Sequence, residues 1–432
     1  MTRRHLLGTL AASAFAQPST TRIDAARLRD HLEHLSVFGR PAGGTFADGV
    51  SRVAYSDADI AGRAYAMKLM EAAGMKPRID PAGNIFGRRA GSDDSLAPVL
   101  FGSHIDSVPN GGNFDGDLGS LAAIEVVETL NEARMVTRRP LEVVVWSNEE
   151  GYAFNNGITG SRAAAGRLDP GELDAIWNGM KKSEAIRRIG GAPERIAEAR
   201  LKPGAFACYL ELHIEQGGNL DREGVPIGVV EGIVGIDRYD VEVRGFANHA
   251  GTTPMPERQD ALVAASYLTI AVNDIVRREP GRQVGTVGQL DVSPNAPNIV
   301  PGLVRMVIEL RDLSSAKIGA MGEQIRRRAR EIAAQTRTDI TVKPAAHHDP
   351  ALATPEVQKT IERVCAKLGL RTMRLPSGAG HDAQAMALIG PMGMIFVPSV
   401  AGISHSPKEL TRWEDCARGA DVLLETVLER AA

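Results

Sequence analysis

Apolar positions follow two different patterns along this chain. Between residues 97 and 221, short unbroken apolar runs stop abruptly at polar clusters. "APVLFGSHID" ends at His104 and Asp106, and "LEVVVW" (141–146) runs straight into "SNEEG". Such runs, without alternation, read as strands buried on both faces. Between them "GDLGSLAAIEVVETLNEAR" places Leu121, Ile124, Val127 and Leu130 on one helical face, so a helix starts just beyond the first polar cluster. Upstream, residues 22–80 read as mostly helical. In "DADIAGRAYAMKLMEAAGM" Ile60, Ala64, Met67 and Met70 keep helical spacing and Gly74 marks the stop. Strand, polar loop, helix, strand is α/β order, and in such sheets sites gather at the carboxyl ends of strands.

The second pattern starts near residue 220. "RYDVEVRG" alternates, with Tyr239, Val241 and Val243 on one face and charged residues on the other. A helical segment from Asp260 to Arg277, the run "GTVGQLDV", the alternating "LVRMVIELRD", the helix "AKIGAMGEQIRRRAREIAAQ" and the closing "DITVKP" follow. The order β-α-β-β-α-β is that of a ferredoxin-like sheet with one solvated helical layer. The expected organisation is a signal-like segment at 1–21, an α/β domain at 22–221, an inserted α+β domain at 222–342, and the rest of the first domain at 343–432. No internal repeat or low-complexity segment is evident.

Composition agrees with two globular units in 432 residues, with 43% hydrophobic and 24% charged positions. The 50 basic and 53 acidic side chains leave a net charge of −3, which gives no footprint for nucleic acid or an anionic membrane. "RRRAR" (326–330) reads as a solvated helical face. Cys208, Cys365 and Cys416 form neither a disulfide framework nor a zinc pattern. The start "MTRRHLLGTLAASAFAQ" has twin arginines, an apolar run from Leu6 and Ala14-Phe15-Ala16, an order that points to twin-arginine export to the periplasm; otherwise the protein is cytoplasmic.

The chemistry concentrates where the apolar runs stop. "GSHIDSVPNGGNFDGDLG" (102–119) sets His104, Asp106 and Asp115 among glycines. Asp and Gly suit ordinary turns, but glycines also let backbone wrap closely around an ion. Glu149 and Glu150 close the next run, His213 closes "CYLELHIEQG", and His405 follows "GMIFVPSV". One histidine at a strand end is ordinarily structural; five imidazole or carboxylate groups at strand ends point to a site for two cations. That mixture of donors suits zinc, manganese or cobalt, whereas an all-oxygen set would suit calcium or magnesium. Asp115 can bridge, with Glu150 and His405 on one ion and His104 and His213 on the other, although spacing leaves the pairing open. Asp106 is placed to accept the second imidazole N–H of His104. Glu149, beside a ligand glutamate, is the candidate general base.

In order along the chain, "GSHIDSVPNGGNFDGDLG", "SNEEG", "ELHIEQG", "GFANHAGTTPM", "NAPNIVPG", "IELRD", "SGAGHDA" and "GISHSPKE" resemble the amidase branch of the dinuclear zinc aminoacylase and carboxypeptidase superfamily. That branch contains N-carbamoyl-L-amino-acid hydrolases, allantoate amidohydrolases and β-ureidopropionases. The resemblance covers residues 22–430. It implies a three-layer α/β/α catalytic domain of zinc-peptidase type, with the inserted domain as a ferredoxin-like lid that also forms a homodimer. It implies His104, Asp115, Glu150, His213 and His405 as ligands of two divalent ions per chain, zinc first, with manganese, cobalt or nickel as alternatives. Glu149 and Asp106 become catalytic residues. Gln216 resembles a contact to the substrate amide, and His249 an oxyanion stabiliser reaching the partner's site. Asn298 and Arg311 resemble the pair holding the substrate carboxylate, and Gly380 and His381 line the pocket. Tyr152 and Ala153 depart from the branch, which commonly has a small residue and an arginine there; this bears on the acyl pocket.

The expected activity is metal-dependent hydrolysis of a carbamoyl or ureido carboxylate, foremost an N-carbamoyl-L-amino acid, with allantoate as runner-up substrate and an aminoacylase or dipeptidase further off. A non-catalytic metal-binding scaffold on the same fold is the rival from another class. It would have no use for Glu149 beside Glu150, or for the pair of Asn298 and Arg311.

Overall fold

The computed structural model describes residues 21–432. The signal-like segment therefore lies, apart from Thr21, outside the described residues. One mixed sheet runs Lys76–Ile79, Ile85–Arg89, Leu141–Trp146, Val99–His104, Cys208–Ile214, Met392–Val397, Ile227–Ile233 and Ala351–Leu352, with Thr372–Ser377 also paired to Ile227–Ile233. The four central strands, Leu141–Trp146 through Met392–Val397, are mutually parallel, so their carboxyl ends open on one edge.

The period of two along these strands builds the layers. Val99, Phe101, Val143, Val145, Leu210, Leu212, Ile395 and Val397 face a core shared with helices Ala25–Leu35, Asp117–Glu132, Pro355–Lys367 and Trp413–Arg430. Leu100, Val144, Trp146, Tyr209 and Phe396 face the other way, onto Thr159–Ala164 and Asp382–Met386. The result is α/β/α. Helix Asp117–Glu132 is buried nearly all round rather than along one stripe, as a helix between a sheet and other helices must be.

Residues 22–80 are less helical than expected. Helices Ala25–Leu35 and Asp57–Ala72 are separated by turns, and a strand begins at Lys76. The second helix also turns a different face inward: Gly62, Ala66 and Met70 are buried while Ala64 is exposed. The cause is a buried charge. The Arg52 guanidinium lies beneath this helix and donates to the carbonyls of Ile105 at 2.6 Å, Phe38 at 2.8 Å and Leu35 at 3.0 Å, and to Asp117. A Cβ at Gly62 would come within 2.8 Å of Arg52 Cδ, so a glycine, not a large apolar residue, marks the contact.

The remaining sheet has four antiparallel strands in the order Val284–Ser293, Leu303–Asp312, Gly235–Arg244, Asp339–His348. Helices Ala261–Arg278 and Ser315–Thr336 share its core with Tyr239, Val241, Val243, Met306, Ile308 and Leu310. Strand Ile227–Ile233 pairs in the large sheet, so the four-stranded unit begins at Gly235 rather than 222 and closes at His348 rather than 342. "IGVVEGI" carries the two-sided apolar pattern of the large sheet, and alternation starts only after it. No helix among the described residues is long and apolar enough to cross a membrane.

Candidate metal centre and cavity

His104 is the last residue of its strand, His213 the penultimate residue of the next, and Glu149 and Glu150 follow Trp146. Asp115 precedes helix Asp117–Glu132, and His405 lies beyond Val397 on a turn. Parallel register brings these ends together. Two clusters result, His104–Asp115–His213 and Asp115–Glu150–His405, with Asp115 common to both. Asp115 Oδ1 is 3.1 Å from His213 Nε2 and 3.6 Å from His104 Nε2; Oδ2 is 3.4 Å from His405 Nε2, which is 3.2 Å from Glu150. Glu149 stands apart from the Glu150 cluster, 3.6 Å from His104 Nε2. Gly116 makes the loop possible. It has φ +67°, and a Cβ there would lie 2.3 Å from the His104 ring.

The ring nitrogens are divided in the way metal ligation needs. His104 Nδ1 is 2.9 Å from the Asp106 carbonyl and His213 Nδ1 is 2.9 Å from the Ile214 carbonyl, so each Nδ1 carries the proton. Each Nε2 lone pair then faces Asp115, and both Nε2 atoms are buried without a hydrogen-bond partner among the described residues. Orphaned buried nitrogens are costly unless something occupies the space between them. A divalent cation with mixed nitrogen and oxygen ligands fits that space.

Asp106 corrects one expectation. Its carboxylate stays 3.9 Å from His104 Nδ1, which its own backbone carbonyl meets instead. The two carboxylate oxygens accept the backbone N–H of Glu149 at 3.1 Å and of Glu150 at 3.2 Å. Asp106 therefore orients the glutamate pair as well as the histidine.

The cavity wall is strongly acidic. Burial opposes charge on His104, yet Glu149, Asp115 and Asp106 outweigh it and hold the imidazole well above its ordinary pKa. Hydrogen bonds to Asp115 and Glu150 raise His405 to about 11. Burial, with Asp382, Glu150 and Asp106 adding to it, pushes the Glu149 carboxyl well above the usual carboxylate range despite His104. The carboxylates thus favour positive charge at these imidazoles, a charge that a bound cation would supply to neutral rings. The cationic side chains lining the cavity, Arg162 and Arg311, are already held by Glu172 and Glu309.

The cavity has a volume of about 600 Å³ and lies between the two sheets. Asp115, Glu149, Glu150, His213, Gln216 and His405 line one side, and Arg311, Gly380 and His381 also border it. Gln216, Ile158 and His405 line it with left-handed backbone, φ +57°, +45° and +53°. Such non-glycine outliers cost free energy and cluster at functional sites. Gln216 Nε2 donates to Asp115 Oδ2 at 2.7 Å, leaving its buried Oε1 unpartnered among the described residues. Arg311 Nε and Nη2 lie 2.7 Å from Glu309 Oε1, and Nη1 donates to the Gly378 carbonyl at 2.6 Å. Of five donors, one N–H remains on each terminal nitrogen. His381 is buried, 2.8 Å from Ser377 Oγ, with its ring edge-on to His213.

Two expected residues are elsewhere. His249 and Asn298 are exposed and do not border the cavity; they sit beside each other where Asn248–His249 pairs with Ile299–Val300. Nor do Tyr152 and Ala153 line it. Tyr152 packs edge-on against Trp177, while Asn156, Gly157, Ile158 and Arg162 of the same segment form the wall.

Sequence reasoning missed Glu409, Ser404 and Asp382. Glu409 is buried, accepts from the backbone of Phe114 and Asp115, and lies four residues after His405 in a motif already singled out. Asp382 is buried with both carboxylate oxygens unpartnered among the described residues, and its charge bears on Glu149.

The profile of Peptidase family M20/M25/M40 matches residues 100–429, and the chain belongs to that family. A protein of Geobacillus stearothermophilus described as N-carbamoyl-L-amino acid amidohydrolase is 42% identical over 410 residues, 95% of this chain and 99% of that one. An allantoate amidohydrolase of Escherichia coli is 35% identical over 400 residues, covering 92% and 95%. The crystal structure of a hydantoinase/carbamoylase family amidase from Burkholderia multivorans superposes with TM-score 0.89 at 36% identity, covering 95% of this chain and 98% of that one.

Proposed function

We propose that the protein hydrolyses N-carbamoyl-L-amino acids to the amino acid, carbon dioxide and ammonia. The observation that carries this reading is one cavity holding two ligand clusters joined by Asp115, a separate glutamate, and an arginine with unused donors. His104, Asp115, Glu150, His213 and His405 would hold two divalent cations, zinc before manganese, cobalt or nickel. Bound cations supply the Lewis acidity that polarises a carbonyl and acidifies water. Glu149 takes the proton of the attacking water and passes it to the leaving nitrogen. Asp106 holds the backbone of Glu149 and Glu150 for that exchange. The free N–H pair of Arg311 grips the substrate carboxylate in parallel hydrogen bonds, and the unpartnered Gln216 Oε1 accepts from the carbamoyl nitrogen. Gly380 and His381 shape the wall beside His213.

His249 and Asn298 enter this scheme from a second subunit. Their exposure supports a homodimer in which the inserted domain delivers His249 to the partner's cavity as oxyanion stabiliser. Val263, Tyr267 and Ile270, exposed along one stripe of helix Ala261–Arg278, suit such an interface. The twin-arginine start supports a periplasmic location. Allantoate is the second substrate reading, favoured by the similarity to the Escherichia coli enzyme.

Ammonia release from a panel of N-carbamoyl-L-amino acids, allantoate and dipeptides, with zinc or manganese supplied, tests the proposal. The expected outcome is the highest kcat/KM on a carbamoyl amino acid. Preference for allantoate selects the second reading, and turnover of dipeptides alone overturns both.

A further inference from the structure

Asp115 can serve two cations only if both of its oxygens keep lone pairs for them. On the His405 side, Oδ2 already accepts from Gln216 Nε2 at 2.7 Å, and the Ser404 hydroxyl stands 3.1 Å away. A hydroxyl has one proton to give. If Ser404 gave it to Asp115, that oxygen would be drained on the side facing His405 and Glu150. Glu409 competes for the same proton, with Oε2 2.8 Å from Ser404 Oγ. The Glu409 contact is the shorter of the two, 2.8 Å against 3.1 Å, so the geometry favours the hydroxyl hydrogen on Glu409 and leaves Asp115 Oδ2 free of it.

The other Glu409 oxygen fixes the bridge itself. Oε1 accepts the backbone N–H of Phe114 at 3.0 Å and of Asp115 at 3.1 Å. One buried carboxylate thus joins the segment carrying Asp115 to the segment carrying His405, though the two are nearly three hundred residues apart in sequence. Its seat is tailored: a Cβ on Gly112 would fall 2.1 Å from Oε1, so glycine is required there.

We infer that Glu409 is a positioning residue that orients Ser404 away from Asp115 and so sustains the cation on the Asp115–Glu150–His405 side. The inference rests on the two-cation reading. It concerns the second cation alone, because Asp115 Oδ1, which faces His104 and His213, has no contact with Ser404.

The test compares Glu409→Gln with the parent by calorimetric titration of metal-stripped protein with zinc, alongside melting of the stripped forms. The glutamine carbonyl can still accept both backbone N–H groups, so folding and melting of the stripped protein should change little. Its amide, however, donates to Ser404 Oγ and turns the hydroxyl proton onto Asp115 Oδ2. Glu409→Gln should keep one tight site and weaken the other by about tenfold or more, the scale seen when the partners of metal ligands are changed. Ser404→Ala in the Glu409→Gln background removes the misdirected proton and should return the weak site toward parental affinity. A purely packing role predicts no such rescue. Two unchanged sites in Glu409→Gln, or no recovery on adding Ser404→Ala, would overturn the inference. Fewer than two sites in the parent would instead overturn the two-cation reading beneath it.

Discussion

Arg311→Lys separates recognition of the substrate carboxylate from everything else in the cavity. Arg311 comes from strand Leu303–Asp312 of the four-stranded sheet, is oriented by Glu309, and donates to the Gly378 carbonyl. A lysine keeps the charge but loses the planar pair of donors. Removing one partner of a desolvated charge pair costs about 2–5 kcal/mol. The Arg311 side chain is 27% exposed, so solvent screening places the expected loss toward the lower end. A loss of roughly 2–3 kcal/mol corresponds to about 30- to 150-fold in kcat/KM. The assay compares ammonia release from an N-carbamoyl amino acid with release from its carboxamide, which has no carboxylate to hold. The variant should lose the full factor on the acid and little on the already slow amide. Melting temperature checks that the lost contact to Gly378 has not unseated the four-stranded unit. An equal fall on both substrates would show that Arg311 has a structural role and does not bind a carboxylate.

The two adjacent glutamates should behave differently. Glu149→Gln should retain both cations by elemental analysis while turnover falls on the order of a hundredfold or more, the usual scale for a general base; Glu150→Gln should lose metal. Equal metal loss in the two variants would remove the division of roles. Protomers carrying His249→Ala and Glu149→Gln, each nearly inactive alone, should regain activity after subunit exchange, since one mixed cavity is then intact. Exchange verified by native mass without recovery would place His249 outside the partner's site.

The sequence reveals elements best where one physical rule acts alone. Unbroken apolar runs gave the parallel strands, and their abrupt ends gave His104, Glu149, Glu150 and His213, because a parallel sheet buries its strands and frees its ends. Alternation in Leu303–Asp312 gave the strand face that separates Arg311 from Met306 and Ile308. Competing rules account for the misses. A buried arginine, Arg52, selects the face of helix Asp57–Ala72, and spacing of apolar residues carries no sign of it. Asp106 binds through backbone and carboxylate to different partners, a division set by loop conformation rather than by its place two residues after His104. Glu409 acts through contacts between segments nearly three hundred residues apart, which no local pattern encodes.

Two ligand clusters with Asp115 in common make catalysis depend on two divalent cations. Titrating thoroughly stripped protein with zinc or manganese, while ammonia release from an N-carbamoyl amino acid is followed in the same samples, tests that dependence most directly. Activity should be absent at the start and should rise to its plateau as occupancy approaches two cations per chain. Full activity in the stripped protein, or a plateau reached with a single cation bound, would contradict the account.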